Sequence, residues 1–331
     1  MKFTEPCPHC GNNDSRSKND KRWKGERRKC NVCNGEWTVG NIMPAELTYT
    51  DREVLDFELS DFYDVYESTQ KLNDKTNINQ RVLNAKVKTD FPIILQFLSD
   101  LHIGNPGVDI ERFKSLTKYI LETPNLYIGL LGDEVDTYFA NPYLSKPMLR
   151  QVFSPRQQLL FLDKWLQQIQ SKLLFATWDN HTDERMEKLI GYSPAAEIKS
   201  KYCPHFDGIG RINLKVGKIT YEIIASHNFR GKSKFNPLHG LMAFCREQVQ
   251  TGDIYVQGDK HQTAYAHQTI GDKDRVFIMT GTLEKHDDFT ERYFSVFPKM
   301  EMPCVVLHND ERKISVHRTS EDGAIYMRGL R

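Results

Sequence analysis

At 331 residues the chain is long enough for one large domain or two unequal ones with an ample core. Its 45 basic and 44 acidic residues leave a net charge of +1, which removes any global charge argument for nucleic acid or membrane. No apolar run approaches the length of a membrane span and no signal-peptide core opens the sequence, so the expectation is a soluble, cytoplasmic protein without membrane partners. Of seven cysteines, four fall in two Cys-x-x-Cys pairs, while Cys203, Cys245 and Cys304 are scattered, unlike the even, dense pattern of a secreted disulfide scaffold.

Charge is uneven along the chain. Residues 1–40 hold nine Lys and Arg against five Asp and Glu, and residues 41–90 hold ten acidic against six basic. This predicts a basic module over 1–43 and a helical, acidic connector over 44–90. In the module, Cys7-Pro-His-Cys10 and Cys30-Asn-Val-Cys33 are nineteen residues apart, a spacing that suits one structural Zn²⁺ held by Cys7, Cys10, Cys30 and Cys33. Gly11 and Gly35, one or two residues after the pairs, are expected to permit the tight turns that aim amides at thiolates. Between the pairs runs a basic, aromatic stretch with Trp23, Arg27 and Arg28. It resembles the zinc ribbons of transposases, primases and related DNA-handling proteins. The resemblance implies phosphate contacts from Arg27 and Arg28 and base stacking on Trp23. The alternative is a solvated basic hairpin that docks on its own acidic neighbour. In the connector, Thr50-Asp-Arg-Glu53 fits a capping box opening a packing helix with Val54, Leu55, Phe57, Phe62, Val65 and Tyr66 on its apolar side.

From Phe91 onward, apolar runs repeatedly end in Asp, Asn or His. Phe91–Leu98 leads to Asp100-Leu-His102, Leu126–Leu131 to Gly132-Asp133-Glu-Val-Asp136, and Lys172–Thr177 to Asn180-His181. Lys218–Ser226 then reaches His227, and Asp253–Gln257 reaches Gly258-Asp259-Lys-His261. Buried strands delivering polar residues at their carboxyl ends are where open α/β sheets place ligands. Gln157–Lys172 reads as a helix whose apolar side is Leu159, Leu160, Leu162, Trp165, Leu166 and Ile169. Strands are expected over Arg275–Thr280 and Cys304–His308, closing the second sheet, with Thr282–Arg292 a loop at the rim.

In order and residue type these endings resemble the calcineurin-like metallophosphoesterase superfamily, whose pattern is DxH, GDxxD, GNH, a lone His and GHxH. The resemblance spans roughly Asp90 to Arg318 and implies an α/β fold of four layers over 91–331, two facing β-sheets flanked by helices. It also implies a dinuclear centre of two Mn²⁺ or other divalent ions. Asp100, His102 and His261 would hold the first ion, Asp133 would bridge, and Asn180 and His227 would hold the second, with Asp259 in place of a histidine. His181 is then expected beside the substrate, protonating the leaving oxygen or stabilising developing charge, with Asp136 as its orienting partner. Two residues depart from the pattern. Asp179 stands where the motif has glycine and is expected to change a turn only. Asp259 adds negative charge, lowering the formal sum of the centre from +2 to +1, which predicts a weaker Lewis acid and a preference for Mn²⁺.

After His227 come Arg230, Lys232 and Lys234, cations that could clamp a flanking phosphate or merely solubilise a loop. The expectation is a metal-dependent phosphodiesterase acting on nucleic acid, DNA more than RNA, with the ribbon as attachment. Within the superfamily the nearest functional analogy is the double-strand-break-repair nucleases, and the ribbon-plus-phosphoesterase arrangement is also similar to phage proteins, which would place it in the host cytoplasm. The alternatives are a small-molecule phosphatase or cyclic-nucleotide phosphodiesterase whose ribbon docks protein, and a non-catalytic nucleic-acid-binding adaptor.

Overall fold

The computed structural model describes residues 7–13, 15–18, 26–39, 59–76, 81–137, 150–231, 233, 235–285 and 301–330, which fall into two units, Met1–Lys71 and Leu72–Arg331. In the first, β1 (Ser15–Lys18), β2 (Glu26–Cys30) and β3 (Glu36–Val39) form an antiparallel sheet in that order. Among its described residues the buried ones are Cys7 and Cys30, and these show no apolar core within strands this short. Gly11 takes a left-handed φ of 70° as expected, but at the second turn Asn34 does so (φ 59°), not Gly35. Gly35 is needed for a different reason, because a Cβ there would lie 2.5 Å from the His9 ring. The expected capping box and Val54, Leu55 and Phe57 lie outside the described residues. The helix α1 (Leu59–Thr76) follows them. Its Phe62, Val65 and Tyr66 are exposed, so the expected packing stripe is not buried; Asp64 and Glu67 interrupt it with charge.

The second unit begins earlier than the sequence implied. Strand β4 (Val82–Val87) lies inside the stretch read as connector, yet it pairs in parallel with β9 (Gly210–Val216). Leu83 is buried there, and Ala85 and Val87 pack on the same side, a period of two that recruits the strand into the sheet. Beyond it come β5 (Ile93–Leu98), α2 (Ile110–Glu122), β6 (Leu126–Leu130), α3 (Pro155–Ile169) and β7 (Leu173–Thr177). They are followed by α4 (Asp183–Ile190), α5 (Pro194–Tyr202), β8 (His205–Phe206) and, after β9, β10 (Ile219–Ala225). The chain ends with α6 (His239–Glu247), β11 (Ile254–Gln257), β12 (Ala264–Ile270), β13 (Lys273–Met279), β14 (Cys304–Leu307), β15 (Ile314–His317) and α7 (Ser320–Gly329).

Two six-stranded sheets result, ordered β15-β14-β5-β6-β7-β8 and β12-β13-β11-β10-β9-β4. The strand at Cys304–Leu307, expected to close the second sheet, instead pairs antiparallel with β5 in the first. Its alternation explains why: Val305 and Leu307 enter the core between the sheets, while Cys304 and Val306 face the helices. Strand β5 is buried along its whole length in the same manner. Ile93, Leu95 and Phe97 point between the sheets, and Ile94 and Leu98 point to α2 and α3. Burying such a side chain stabilises by about 1.5–3 kcal/mol, so both faces hold the strand in register. On the far side, α6 covers Ile224, Tyr255, Phe277 and Met279 of the second sheet. The order is helices, sheet, sheet, helix. The four-layer α/β architecture is therefore the one observed, with a four-cysteine group at the N-terminal end of the chain.

In α3 the buried side keeps the expected Leu162, Trp165, Leu166 and Ile169 and departs from the stripe at its first turn. Leu160 is exposed, whereas Gln158, a polar residue, is wholly buried. Among the described residues no helix is long and apolar enough to cross a membrane.

Candidate metal centre

Strands β5, β6 and β7 run parallel in the first sheet, as do β10 and β11 in the second, so five carboxyl ends face one region. From β5 come Asp100 and His102, from β6 Asp133 and Asp136, from β7 Asn180 and His181, from β10 His227, and from β11 Asp259 and His261. The approach is tight enough to require glycine at 258, where a Cβ would sit 1.9 Å from the Ser99 hydroxyl oxygen and 2.8 Å from Asp100 Oδ2. Three groups of potential ligands are brought together, Asp100–His102–His261, Asp100–Asp133–His227 and His102–Asp136–His181, each with its donor atoms within 4.8 Å of one another.

At the first position His261 Nε2 lies 3.2 Å from Asp100 Oδ1 and 3.2 Å from His102 Nε2. Asp100 Oδ1 is fully buried and takes no hydrogen bond, whereas Oδ2 accepts the Asp259 amide at 3.0 Å. An orphaned carboxylate oxygen facing two imidazole nitrogens is the donor set of a divalent cation. Asp133 joins this position to the second, its Oδ2 lying 3.8 Å from His102 Nε2 and 3.3 Å from His227 Nε2. Around the second position Asn180 Oδ1 is 2.9 Å from His227 Nε2, and Asp259 Oδ1 is 3.8 Å from the same nitrogen. The Leu131 carbonyl accepts from His227 Nδ1 at 2.6 Å, which leaves Nε2 as the free ligand atom. Asp259 thus faces this position with one oxygen, while its other oxygen pairs with the Lys260 ammonium.

His181 is partly exposed at the rim, its Nε2 3.9 Å from Asp133 Oδ2. Asp136 does not serve His181 alone. Its Oδ1 is hydrogen-bonded to His102 Nδ1 at 3.0 Å and lies 3.5 Å from His181 Nδ1, so one carboxylate faces both rings. That carboxylate is itself held by residues that no motif singles out. Gln151 donates to Asp136 Oδ2 at 2.7 Å, and buried Gln158 accepts the Asp136 and Thr137 amides at 3.0 and 2.8 Å. Glu284, inside the stretch expected to be a rim loop, lies 3.4 Å from His261 Nδ1 and accepts from Asn105 at 2.6 Å. Its only signal in sequence is its place in that loop. Of the expected substrate cations, Arg230 is exposed in the turn after His227, and Lys232 and Lys234 lie outside the described residues.

The four cysteines of the first unit also converge. Cys7 Sγ is 3.6 Å from Cys33 Sγ, and Cys10 Sγ is 3.7 Å from Cys30 Sγ. A tetrahedron with about 2.3 Å from centre to sulfur has edges of about 3.8 Å, so the thiols are spaced for Zn²⁺. The Val32 and Gly35 amides point at Cys30 and Cys33 Sγ, both at 3.4 Å. Arg28 is half-buried on β2 opposite Trp37; Trp23 and the Arg27 side chain lie outside the described residues.

No protein-family profile and no curated protein matches the chain. Among solved structures it is similar to Vps29 of Chaetomium thermophilum (10% identity, covering 68% of this chain and 96% of that one, TM-score 0.35). It is similar also to a metallophosphoesterase of Sphaerobacter thermophilus (12%, 72% and 94%, TM-score 0.35) and to the Pseudomonas putida nuclease MPE (11%, 67% and 87%, TM-score 0.30). At identities and scores this low, the chemistry rests on the geometry of the site itself.

The electrostatics are those of a place built for cations. Burial would lower the His227 imidazole, but Asp133 raises it to about 10, and His102 and His261 are raised by neighbouring carboxylates against the same burial. Burial would likewise raise Asp100 and Asp133, yet the histidines hold both below the usual carboxylate range. These imidazoles hold protons more tightly than a free histidine does, and ligation must expel them. Mn²⁺ binding is therefore expected to release protons and to tighten as pH rises from 6 to 8. Calorimetric titration in two buffers of different ionisation enthalpy checks this, and equal heats in both buffers would contradict it.

Beside Asp133, Glu134 is buried and its carboxyl is pushed up to about 7, first by burial and then by Asp179 and Asp183 against the pull of Lys199. The folded chain keeps this proton from the ordinary value of 4.5 up to about 7 while the unfolded chain loses it, so the contribution to stability falls as pH rises through that window. Glu134→Gln is expected to flatten the loss of stability between pH 5 and pH 7, as read by urea denaturation at each pH.

Proposed function

We propose that the Leu72–Arg331 unit is a two-metal phosphodiesterase and that its substrate is nucleic acid, DNA before RNA, with the ribbon contributing substrate contact. The observation that carries the catalytic part is Asp133. Its carboxylate faces His102 on one side and His227 on the other, between two groups of buried nitrogen and oxygen donors. In this reading Asp100, His102, Asp133 and His261 hold one cation, and Asp133, Asn180, His227 and Asp259 the other. Two divalent ions in that arrangement supply Lewis acidity toward a phosphoryl oxygen.

The chain's own residues supply the rest. His181, partly exposed at the rim with Nδ1 3.5 Å from Asp136 Oδ1, presents Nε2 beside Asp133 and in this reading gives a proton to the leaving oxygen. Asp136 keeps His102 and His181 in fixed tautomers, and Gln151 and Gln158 keep Asp136 in place. The Lys260 ammonium on Asp259 returns the unit of positive charge that a carboxylate at this position removes, bringing the formal sum of two cations and three carboxylates from +1 back to +2. A phosphodiester anion is thereby favoured at the rim.

The nucleic-acid part is supported by the ribbon. Its hairpin carries the excess of basic charge in residues 1–40, and its four thiols have the spacing of a structural zinc site. Cys30→Ser is expected to release about one equivalent of zinc and to collapse ribbon structure, because metal binding supplies the folding energy of so small a module. Metal analysis and amide spectra check this, with hydrolysis of a small phosphodiester expected to stay at the wild-type level.

The deciding experiment is cleavage of labelled single- and double-stranded DNA, RNA and bis-p-nitrophenyl phosphate by metal-stripped protein resupplied with Mn²⁺. Cutting of DNA that requires Mn²⁺ and disappears in Asp133→Asn is the expected result. His181→Ala is expected to retain metal while turnover falls by about 10²- to 10⁴-fold, the usual range for a lost general acid. Hydrolysis of the small diester without any cleavage of nucleic acid would move the substrate to a nucleotide or other small molecule. Full activity of His181→Ala would remove that residue from the mechanism.

A further inference from the structure

Behind the turn that carries Asn180 and His181 lies a cluster of charged side chains that the centre itself does not use. Glu134, Asp179, Asp183, Lys199 and His205 are all buried. Lys199 enters from α5, and its Nζ donates to Asp183 Oδ2 at 2.6 Å, to Asp179 Oδ2 at 3.1 Å and to the Thr177 carbonyl at 3.1 Å, with Glu134 Oε2 at 3.5 Å. Every donor position of the ammonium is engaged. A wholly buried cation surrounded by carboxylates is a costly device unless each charge is matched and hydrogen-bonded.

The two aspartates it joins form a reciprocal clamp. Asp179 Oδ1 accepts the Thr182 and Asp183 amides at 2.6 and 3.1 Å, and Asp183 Oδ2 accepts the Asp179 amide at 3.2 Å. Thr182, at the N-cap of α4, makes no capping bond with its own side chain, so Asp179 caps the helix in its stead. Asn180 and His181 are the residues enclosed between the two ends of this clamp. The His181 amide donates to Asp133 Oδ1 at 3.2 Å, so a shift of the turn is felt at the bridging carboxylate as well. Two carboxylates this close repel, and Lys199 is the charge that lets the clamp close.

We propose that Lys199 is a positioning residue for the second metal position, fixing Asn180 and His181 through the Asp179–Asp183 clamp. This goes beyond the assignment of ligands and rests on the two-metal reading of the centre. Asp179, which stands where the resembled motif has glycine, is on this view half of a device and not a lapse in the motif.

The test is Mn²⁺ titration of the full chain, followed by electron paramagnetic resonance, in wild type, Lys199→Met and Asp179→Asn. Asn180→Ala and His261→Ala identify which transition belongs to which position. Lys199→Met is expected to weaken the Asn180–His227 position by about 10- to 100-fold, the range for losing a partner behind a ligand, while the Asp100–His102–His261 position keeps its affinity. A merely structural role would weaken both positions together, in proportion to the unfolded fraction, or neither. Should Lys199→Met fail to fold, Asp179→Asn decides the matter. It retains an acceptor for the Thr182 amide and removes the charge that Lys199 holds, so it should give the same selective loss. Equal loss at both positions, no loss at either, or a wild type with a single Mn²⁺ position would overturn the proposal. Two Mn²⁺ positions in a wild type that hydrolyses no phosphodiester would instead refute the phosphoesterase reading and leave this one to be decided by the same titration.

Discussion

The site depends on the demand that five strand ends from two sheets make of one another. Asp100, His102, Asp133, His227 and His261 crowd into a volume where nitrogen and oxygen donors stand 3.2–3.9 Å apart, too close and too buried to be left to water. Without a cation the carboxylates favour protons on the imidazoles, a source of positive charge beside the Lys260 ammonium on Asp259. The core between the sheets enforces the crowding. Leu95, Phe97, Ile223 and Val256 bind the two layers together directly beneath the ligand-bearing ends, so the sheets cannot part to relieve it.

The backbone shows the same compression. Asp100, His102, Asp133, Asp259 and His261 all adopt left-handed φ between 46° and 65°. The chain must reverse within one or two residues of leaving a strand while keeping its side chain pointed inward. Asp and His are among the non-glycine residues that tolerate this region best, so residue types chosen as ligands also suit the turn. Such strain persists where surrounding structure over-determines it, as the hydrogen bonds from the Asp100 amide to the Gly132 carbonyl and from the His102 amide to the Asp133 carbonyl do here.

How much of this could be read from sequence followed from the range of each interaction. A buried strand that stops at Asp-x-His or Asn-His is a local event, six apolar residues and then a polar break, and it survives in one dimension. The four layers were implied by the family resemblance that those endings carry. The boundary near Val82 and the sheet to which Cys304–Leu307 belongs did not, because strand pairing across hundreds of residues leaves no local trace. The side chains that hold the ligands were equally silent. Gln158 sits in a helix whose neighbours are leucines, and nothing near it in sequence announces that it accepts the Asp136 amide. Glu284 is more than twenty residues from His261, and Lys199 reads as an ordinary helix lysine until α5 is laid against the Asn180 turn.

The two departures from the resembled motif share a physical logic. At both places an aspartate replaces a neutral residue, and at both a lysine is found on it: Lys199 on Asp179 behind the centre, Lys260 on Asp259 at its edge. The pairs differ in what solvent allows them to do. Lys199 is sealed from water and fully bonded, so its pair is fixed and can only hold geometry. Lys260 is about a third exposed, and its partner keeps one oxygen turned toward Asn180 and His227, so its charge remains available at the mouth of the site. A negative charge added to a metal centre ordinarily weakens its hold on an anionic substrate. Adding each with its own cation avoids that penalty, and it places one cation where the backbone needs support and the other at the mouth of the site.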